Sequence, residues 1–255
     1  MAHWTETLFK QQADRYADFF DARFEAGRVE VDQLLRLVDE AYGLDPERTL
    51  DVACGTGRHV VAFAEQGCTA EGLDFSEQFV AEAGDRIDER GLADRASVEH
   101  HDMRELPAWP GSGYDLVTWF RNSLGYYDRA TDERILGEAR DLLADDGCLA
   151  IEMGNKDFYL ANFEESGVDQ DDDRLTVERR DYDVETGRFH TQVDLFDVED
   201  GYEHVDTLEW KNRIYAAPVL RELLYDAGFD DVSLYGGFSG SALSMTSERA
   251  VALAR

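Results

Sequence analysis

A strand that runs into a glycine-rich turn and then a helix is the feature of this sequence that most limits its fold. Residues 50–58 read Leu-Asp-Val-Ala-Cys-Gly-Thr-Gly-Arg, an apolar run followed by a Gly-x-Gly turn. Glycine adopts the backbone that a sharp turn requires, and the first N–H groups of the next helix can bind a ligand. No lysine follows as in a phosphate-binding P-loop, so the pattern favours a nucleoside ligand without a polyphosphate.

The alternation of apolar runs and amphipathic stretches continues through the first 153 residues. It predicts an α/β fold with a Rossmann-like, doubly wound, mostly parallel seven-stranded sheet, and a ligand crevice at the carboxyl ends of the strands. After the first strand, the predicted elements are strands at 69–74, 96–101, 114–120 and 148–153 and helices at 58–66, 76–90 and 131–143.

Two further regions frame this core. Apolar residues at helical spacing predict N-terminal helices over 4–25 and 29–41, whereas 156–173 reads as an irregular acidic stretch. Three alternating runs without an intervening helix predict an inserted antiparallel β-meander. Its strands are expected at 175–182, 189–198 and 202–215, followed by a helix over 217–227 and strands at 232–235 and 250–254.

We therefore predict one large domain with an insertion rather than two independent domains, because 255 residues suffice for a single α/β core. The expected division is an N-terminal helical lid (1–45), a ligand-binding Rossmann-like core (46–155), the antiparallel insertion (156–215) and a C-terminal segment that completes the core sheet (216–255).

The charge is strongly acidic, with 25 basic against 56 acidic residues and a net charge of −31. Lysine occurs only at 10, 156 and 211, so most basic residues are arginines. This composition is typical of proteins from salt-loving organisms, and we predict a haloarchaeal origin. At molar salt the Debye length is only about 3 Å, which screens the self-repulsion of such a surface.

Several partners are disfavoured by the same sequence. Clustered basic residues, which nucleic-acid binding normally requires, are missing; Arg179-Arg180 is flanked by Glu178 and Asp181. The N-terminus has neither a basic start nor an apolar run, so no signal peptide or membrane span is expected. The three cysteines lack metal spacing and indicate reduced thiols, and the histidines lack the spacings of a metal site. We predict a cytoplasmic monomer or homodimer without a metal.

A dinucleotide-binding site is the main alternative for the glycine turn. Asp74 ends the second predicted strand, 17 positions after Gly57, which is close to the spacing of an NAD-binding carboxylate. The dinucleotide fingerprint needs a third glycine where this chain has Val60. An NAD site is therefore disfavoured, while Asp74 remains placed to accept hydrogen bonds from a ribose diol.

Taken together, these motifs resemble a known family over about residues 40–155. The segment 51–57 (Asp-Val-Ala-Cys-Gly-Thr-Gly), the strand-end Asp74, the pair Asp102-Met103 and the segment 119–127 are similar, in the same order, to the class I methyltransferases that use S-adenosylmethionine. Within that class, "DVACGTG", "GLDFS", "HHDMRE" and the Ser-x-Gly-Tyr after the fourth strand resemble the branch that contains amino-sugar N,N-dimethyltransferases and other small-molecule or peptide-amine methyltransferases.

The resemblance implies a set of residues that bind S-adenosyl-L-methionine. Asp74 would hold the ribose, Asp102 and Met103 the adenine, and Asp51 the loop amides or the methionyl ammonium. From the sequence alone, Asp74 and Asp102 also read as strand-end caps and Met103 as a core residue. The full predicted set is Asp51, Ala53, Cys54, Gly55, Gly57, Asp74, Phe75, Asp102, Met103 and Phe120.

Methyl transfer requires mainly that donor and acceptor be held in line, so no catalytic base is assigned. The expected acceptor is a small molecule, and the resemblance favours an amine. Candidates for its site are Tyr16, Asn122, Tyr126, Arg213 and Tyr215, with Trp4, Arg121, Ser123 and Asn155 beside them; each of these residue types also occurs as ordinary packing. The alternatives are an RNA or protein methyltransferase on the same fold and a non-catalytic domain that binds the cofactor. The nucleic-acid signature Asn/Asp-Pro-Pro-Tyr is missing where Phe120-Arg121-Asn122-Ser123 stands.

Overall fold

The core of the protein is a seven-stranded sheet, as the computed structural model of residues 3–21, 24–170, 174–198 and 201–255 shows. Its strands are β1 (Arg48–Val52), β2 (Thr69–Asp74), β3 (Ala96–His100), β4 (Tyr114–Trp119), β5 (Leu143–Gly154), β10 (Val232–Tyr235) and β11 (Arg249–Ala254). The order is β10-β11-β5-β4-β1-β2-β3. β11 runs antiparallel to both neighbours and the other pairs are parallel. The predicted mostly parallel, doubly wound sheet is confirmed.

Helices cover both faces of this sheet because its central strands are apolar on both sides, as expected for a buried parallel sheet. Leu50 and Val117 belong to one buried cluster and Leu116 to the other, so neighbouring residues of β4 point into opposite layers. The helices that provide these layers are α3 (Ala26–Tyr42), α4 (Arg58–Glu65), α5 (Glu77–Glu89), α6 (Arg129–Asp141) and α8 (Ala217–Asp226).

Between β5 and β11 the chain forms a second, antiparallel sheet in the order β6-β7-β8-β9. Its strands are β6 (Ser166–Gln170), β7 (Arg174–Asp183), β8 (Arg188–Asp197) and β9 (Glu203–Arg213). The predicted meander is confirmed, but the prediction of an irregular stretch over 156–173 was wrong: it holds helix α7 (Lys156–Ala161) and β6. Asn155 caps α7 through its side chain, and β6 is ordered by pairing with β7.

The N-terminal helix predicted over 4–25 is interrupted. It consists of a short α1 (Trp4–Glu6), a π-helical turn (Thr7–Gln11) and α2 (Ala13–Asp21), with residues 22–23 outside the described part of the chain. Gln12 leaves the helical conformation, and its side-chain amide donates to Asp206 and to the Thr207 carbonyl on β9. Tertiary contacts with the second sheet therefore override the helical period here.

β5 also differs from expectation, since it begins at Leu143 rather than 148 and the preceding α6 ends at Asp141. The pairing with β4 changes register between Tyr114 and Leu116, which accommodates extra residues of β5. Gly147 lies within this irregularity, where an added Cβ would approach the Tyr114 carbonyl oxygen to 2.6 Å. Within the described residues, no helix has the length and apolar character needed to cross a membrane.

Candidate active site

A cavity of about 800 Å³ opens at the carboxyl ends of β1, β2 and β4. The N-terminal helices and one face of the second sheet close it from the opposite side. Nine of the ten predicted cofactor residues line it: Asp51, Ala53, Cys54, Gly55, Asp74, Phe75, Asp102, Met103 and Phe120. Gly57 is not part of the lining. It begins α4 at φ +81°, and an added Cβ would lie 2.8 Å from the Ala83 Cβ, so it allows α4 and α5 to pack closely.

Asp74 connects the glycine turn to the start of α5. Its carboxylate accepts the Gly55 N–H and the Ser76 N–H, both at 2.9 Å. Each carboxylate oxygen can accept a further bond, so these contacts leave capacity for a ligand. Burial raises the pKa of Asp74 to about 6, although the two amide bonds oppose the shift. Asp74 is thus both the turn-stabilising residue and a carboxylate that faces the cavity.

Thr56 supplies a further polar atom in this turn. Its hydroxyl is buried without a hydrogen-bond partner among the described residues, and the residue lines the cavity. A buried polar group without a partner costs free energy, so a partner from a ligand is expected here. The Thr56 hydroxyl, the carboxylates of Asp51 and Asp74 and the apolar side chains of Phe75 and Met103 together fit an adenosine with a charged amino-acid tail.

Asp51 lies at the floor of the cavity and is almost fully buried. The Thr118 hydroxyl donates to it at 2.7 Å, and His59 Nδ1 is 3.8 Å from its second oxygen. Burial raises the pKa of Asp51, while the charges of His59 and Arg58 and the Thr118 bond oppose that shift. In its ionised form Asp51 can therefore attract a cation, and its contact with a methionyl ammonium stays a prediction from the resemblance.

Helix α3, which precedes the first core strand, completes this charged floor, and the sequence did not reveal it. The Glu30 carboxylate of α3 lies 2.9 Å from His59 Nε2 and 3.0 Å from Arg58 Nη2. Burial alone raises the pKa of Glu30, but the His59 bond and the charges of His59 and Arg58 outweigh it and lower the pKa to about 2. Glu30 is thus ionised and holds both side chains beside Asp51.

At the adenine end of the predicted site, Asp102 forms a forked ion pair with Arg104. Arg104 donates through its backbone N–H at 2.9 Å and through its guanidinium to both carboxylate oxygens. Burial raises the pKa of Asp102, but these bonds outweigh it and the net shift is downward. Met103 is buried next to it and lines the cavity. Asp102 therefore acts as a turn cap while still facing the cavity.

The corner after β4 has a strained backbone. Arg121 and Asn122 both adopt the left-handed conformation, at φ +61° and +63°, which residues other than glycine rarely adopt. Glu152 accepts the Arg121 N–H at 2.9 Å, and the Asn122 side chain accepts the Gly154 N–H at 2.6 Å. Glu152 also pairs with Arg249 at 2.6 Å. These contacts stabilise a conformation that turns the corner into the cavity, and such strain concentrates at functional sites.

Aromatic rings of the N-terminal helices meet this corner. Tyr126 packs against Trp4 with ring centres 5.0 Å apart and against Phe9 at 5.6 Å, and Phe9 packs on Tyr16 at 5.3 Å. Burial raises the pKa of Tyr16 to about 12 and raises that of Tyr126 further, so both hydroxyls stay protonated. Tyr16, Asn122 and Tyr126, three of the predicted acceptor-site residues, therefore line one cavity with Trp4, Arg121 and Ser123.

Arg213 and Tyr215 are not brought into the cavity lining. The Tyr215 hydroxyl donates to Asp132 of α6 at 2.5 Å, and Arg213 donates to the Thr186 carbonyl. Burial raises the pKa of Asp132 to about 6 against the opposing Tyr215 bond. Asn155, also suggested by the sequence, caps α7 and donates to the carbonyls of Ser244 and Ser247. These contacts give all three residues a role in supporting the fold.

The second sheet contributes part of one face to the cavity, which sequence pattern alone did not assign. Side chains from all four strands line it: Asp169, Arg174, Thr176, Glu178, Arg180, Phe189, Thr191, Trp210 and Asn212. Glu178 and Arg180 form an ion pair on this face. Trp210 packs against Tyr16 with ring centres 6.1 Å apart, which links the sheet to the N-terminal helices.

Comparison with known proteins places this geometry in context. Residues 49–147 match the model of a methyltransferase domain. A protein of Geobacillus sp. (strain WCH70) that is named as a methyltransferase is 28% identical over 215 residues, which cover 82% of this chain and 84% of that protein.

The fold recurs in solved structures. An S-adenosylmethionine-dependent methyltransferase from Clostridium acetobutylicum has a TM-score of 0.81 at 16% identity and covers 95% of this chain and 98% of its own. The sugar N-methyltransferase KedS8 from Streptoalloteichus sp. has a TM-score of 0.70 at 21% identity, with coverage of 94% and 92%.

The matched domain, the mostly parallel sheet and the cavity at its strand ends define the class of this part of the chain: residues 49–147 are a methyltransferase domain with a Rossmann-like core.

Proposed function

We propose that the protein transfers the methyl group of S-adenosylmethionine to an amine nitrogen of a small molecule. The observation that carries this proposal is the cavity, whose volume of about 800 Å³ lies within the range of small-molecule sites, about 300–1,000 Å³. It extends from the cofactor residues to the second sheet, so one space offers room for donor and acceptor. KedS8, which shares the fold, is a sugar N-methyltransferase, and this supports an amine as the acceptor.

We assign the methyl donor, S-adenosylmethionine, to the side of the cavity formed by the ends of the core strands. Asp74 would accept the ribose hydroxyls, Asp102 and Met103 would contact the adenine, and Asp51 would attract the methionyl ammonium. Ala53, Cys54, Gly55, Phe75 and Phe120 would form the walls. The bound cofactor supplies an activated methyl on sulfur, and the protein supplies alignment with the acceptor nitrogen.

The acceptor is assigned to the side of the cavity closed by the N-terminal helices and the second sheet. An amine must be uncharged to attack, and removal of water around it favours the uncharged form. The rings of Trp4, Tyr16 and Tyr126 provide such a desolvated environment. Because both tyrosines remain protonated, they would donate hydrogen bonds or orient the amine rather than act as bases.

The lining of the cavity also bears on the size of the acceptor. An RNA or protein acceptor would have to present its reactive group in a cavity lined by three separate parts of the chain, namely the core, the N-terminal helices and the second sheet. The acidic net charge of −31 further opposes nucleic-acid binding. We also propose, from this charge, that the protein works in the cytoplasm of a salt-loving organism.

The test is release of S-adenosylhomocysteine in high potassium chloride with pooled small amines, alcohols and thiols, and separately with bulk tRNA and a peptide mixture. We expect product with the amine pool. Product with only the tRNA or peptide arm would overturn the small-molecule assignment, and product with only alcohols or thiols would overturn the choice of nitrogen. Cofactor binding without product in any arm would show a non-catalytic binding domain.

A further inference from the structure

The cavity floor around Asp51 presents basic side chains, although the protein as a whole is strongly acidic. Those that line the cavity near this carboxylate are Arg58, His59, Arg121 and Arg249. The charges of His59 and Arg58 act on Asp51 directly, since both oppose the rise in its pKa that burial causes. Cations beside a buried carboxylate suit a ligand group that carries a positive and a negative charge close together.

The carboxylates that balance these cations lie outside the cavity lining. Glu30 Oε2 is 3.0 Å from Arg58 Nη2 and 2.9 Å from His59 Nε2. Glu152 Oε1 is 2.6 Å from Arg249 Nη1. Neither Glu30 nor Glu152 lines the cavity. At the floor, the positive partner of each ion pair therefore belongs to the lining, and the negative partner supports it from outside.

Helix α3 is shaped around Arg58. Gly27 and Glu30 lie one turn apart on this helix and face the same side. An added Cβ at Gly27 would lie 2.5 Å from Arg58 Cγ, so the glycine leaves space for the arginine stem, while Glu30 pairs with the guanidinium. Arg58 is only 8% exposed. Its guanidinium is a planar fork of N–H donors that matches the two oxygens of a carboxylate, and its position is fixed before any ligand binds.

We propose that Arg58 binds the α-carboxylate of the amino-acid tail of S-adenosylmethionine, while Asp51 binds the ammonium group of the same tail. This inference rests on the proposed function and adds the residue that recognises the negative end of the donor. Ammonium and carboxylate are attached to one carbon of the tail, so their binding groups must be neighbours, as Asp51 and Arg58 are. Glu30 is a positioning residue that fixes the guanidinium from α3. An acceptor with a carboxylate offers the same chemistry, so the experiment separates the two sources.

The experiment is calorimetric titration in high potassium chloride with S-adenosylmethionine, decarboxylated S-adenosylmethionine and methylthioadenosine, which lacks the whole tail. For the wild type we expect a Kd for the decarboxylated ligand that is higher by about 10-fold or more. In Arg58→Gln the Kd for S-adenosylmethionine should rise by about 10-fold or more, whereas the Kd values for the other two ligands should stay unchanged. Arg58→Lys, which keeps the charge but not the fork, should recover part of the loss.

Because Arg58→Gln removes the cation beside Glu30, the double variant Arg58→Gln with Glu30→Gln is measured as well. It lacks both charges of this ion pair, and it should bind S-adenosylmethionine and the decarboxylated ligand nearly equally. Arg90→Gln is the matched control, because Arg90 also pairs with a glutamate next to α3, Glu25 at 2.8 Å, and lies outside the cavity lining. It should leave every Kd unchanged.

Two results would overturn the carboxylate subsite while leaving the proposed methyl transfer intact. One is equal affinity of the wild type for S-adenosylmethionine and its decarboxylated form, and the other is an equal loss for both ligands in Arg58→Gln and in the double variant. An unchanged Kd for S-adenosylmethionine in Arg58→Gln, with a raised KM for glycine but not for methylamine, would assign Arg58 to the acceptor and overturn its role towards the donor. A wild type that binds none of the three ligands would instead overturn the proposed function itself.

Discussion

The substitution Asp74→Asn separates the structural and ligand-binding roles of this carboxylate. In the wild type, burial raises the pKa of Asp74 from 3.8 to about 6, so the ionised form costs the folded state about 3 kcal/mol at neutral pH relative to an unshifted carboxyl. Asparagine removes that cost but keeps only one acceptor oxygen for the two amides that now bind the carboxylate. The two changes oppose each other, so we expect the free energy of unfolding at pH 7 to change by less than about 2 kcal/mol.

The effect of Asp74 on the free energy of unfolding should depend on pH. Because the folded protein binds the Asp74 proton more tightly than the unfolded chain, stability from this group is present at low pH and is lost as pH rises through about 6. The difference in unfolding free energy between wild type and variant should shift by up to about 3 kcal/mol between pH 4 and pH 7, in favour of the wild type at the lower pH. Denaturant titrations at fixed high salt measure it.

Cofactor affinity should respond more strongly than stability. If Asp74 accepts the ribose hydroxyls, its replacement removes charge-assisted bonds worth about 1.5 to 3 kcal/mol, or about 10- to 150-fold in Kd by calorimetry. The wild-type affinity should also weaken below pH 6, whereas that of the variant should not. Equal affinities of wild type and variant at pH 7.5 would refute the ribose assignment, and a stability difference independent of pH would refute the buried-carboxylate argument.

Three further predictions follow from the packing and the charge. Gly57→Ala should lower the free energy of unfolding by about 2 kcal/mol or more, because the new Cβ would meet the Ala83 Cβ at 2.8 Å in a left-handed backbone. The control Gly91→Ala, at φ +66° with nothing within 4 Å, should cost only the backbone strain of about 1–2 kcal/mol. Equal losses in the two variants would contradict the role of close packing at Gly57. Tyr215→Phe should lower the free energy of unfolding by about 1–3 kcal/mol at pH 7, because it leaves the buried Asp132 carboxylate without the hydroxyl that donates to it at 2.5 Å. The loss should be smaller at pH 4, where the Asp132 carboxyl is protonated. Chemical denaturation at both pH values measures the difference. Thermal unfolding should occur at lower temperature as potassium chloride is reduced from about 2 M to about 0.1 M, because screening of the acidic surface weakens; a melting temperature independent of salt would contradict the halophilic interpretation.

Local signals in the sequence were sufficient for the core fold and for the cofactor side of the cavity. Asp74 ends the apolar strand that follows the glycine turn, so strand period and turn chemistry placed it at the edge of the sheet where the turn lies, whereas the role of Asp51 came from the resemblance. The structure brings them into one cavity, while their contacts with the cofactor stay predictions. The interrupted first helix was missed because Gln12 bonds to β9, and such long-range contacts leave no local pattern.

The partners of these residues came from distant segments and could not be read from spacing. Glu30 reaches the cavity floor from α3, and Arg249 reaches the strained corner from β11. Alternation within β9 explains another difference: Asn212 faces the cavity, so Arg213, the next residue, lies on the other side. The sequence predicted the strand but not which of its faces would be covered.

The second sheet is a single excursion of the chain between β5 and α8, and it supplies much of the cavity wall opposite the carboxyl ends of β1, β2 and β4. Substitutions on its inward side can therefore change which molecule is accepted without altering the glycine turn or the carboxylates on the core strands. In an architecture of this kind, new substrate ranges can arise by divergence of one contiguous stretch of gene, while the donor half is inherited intact.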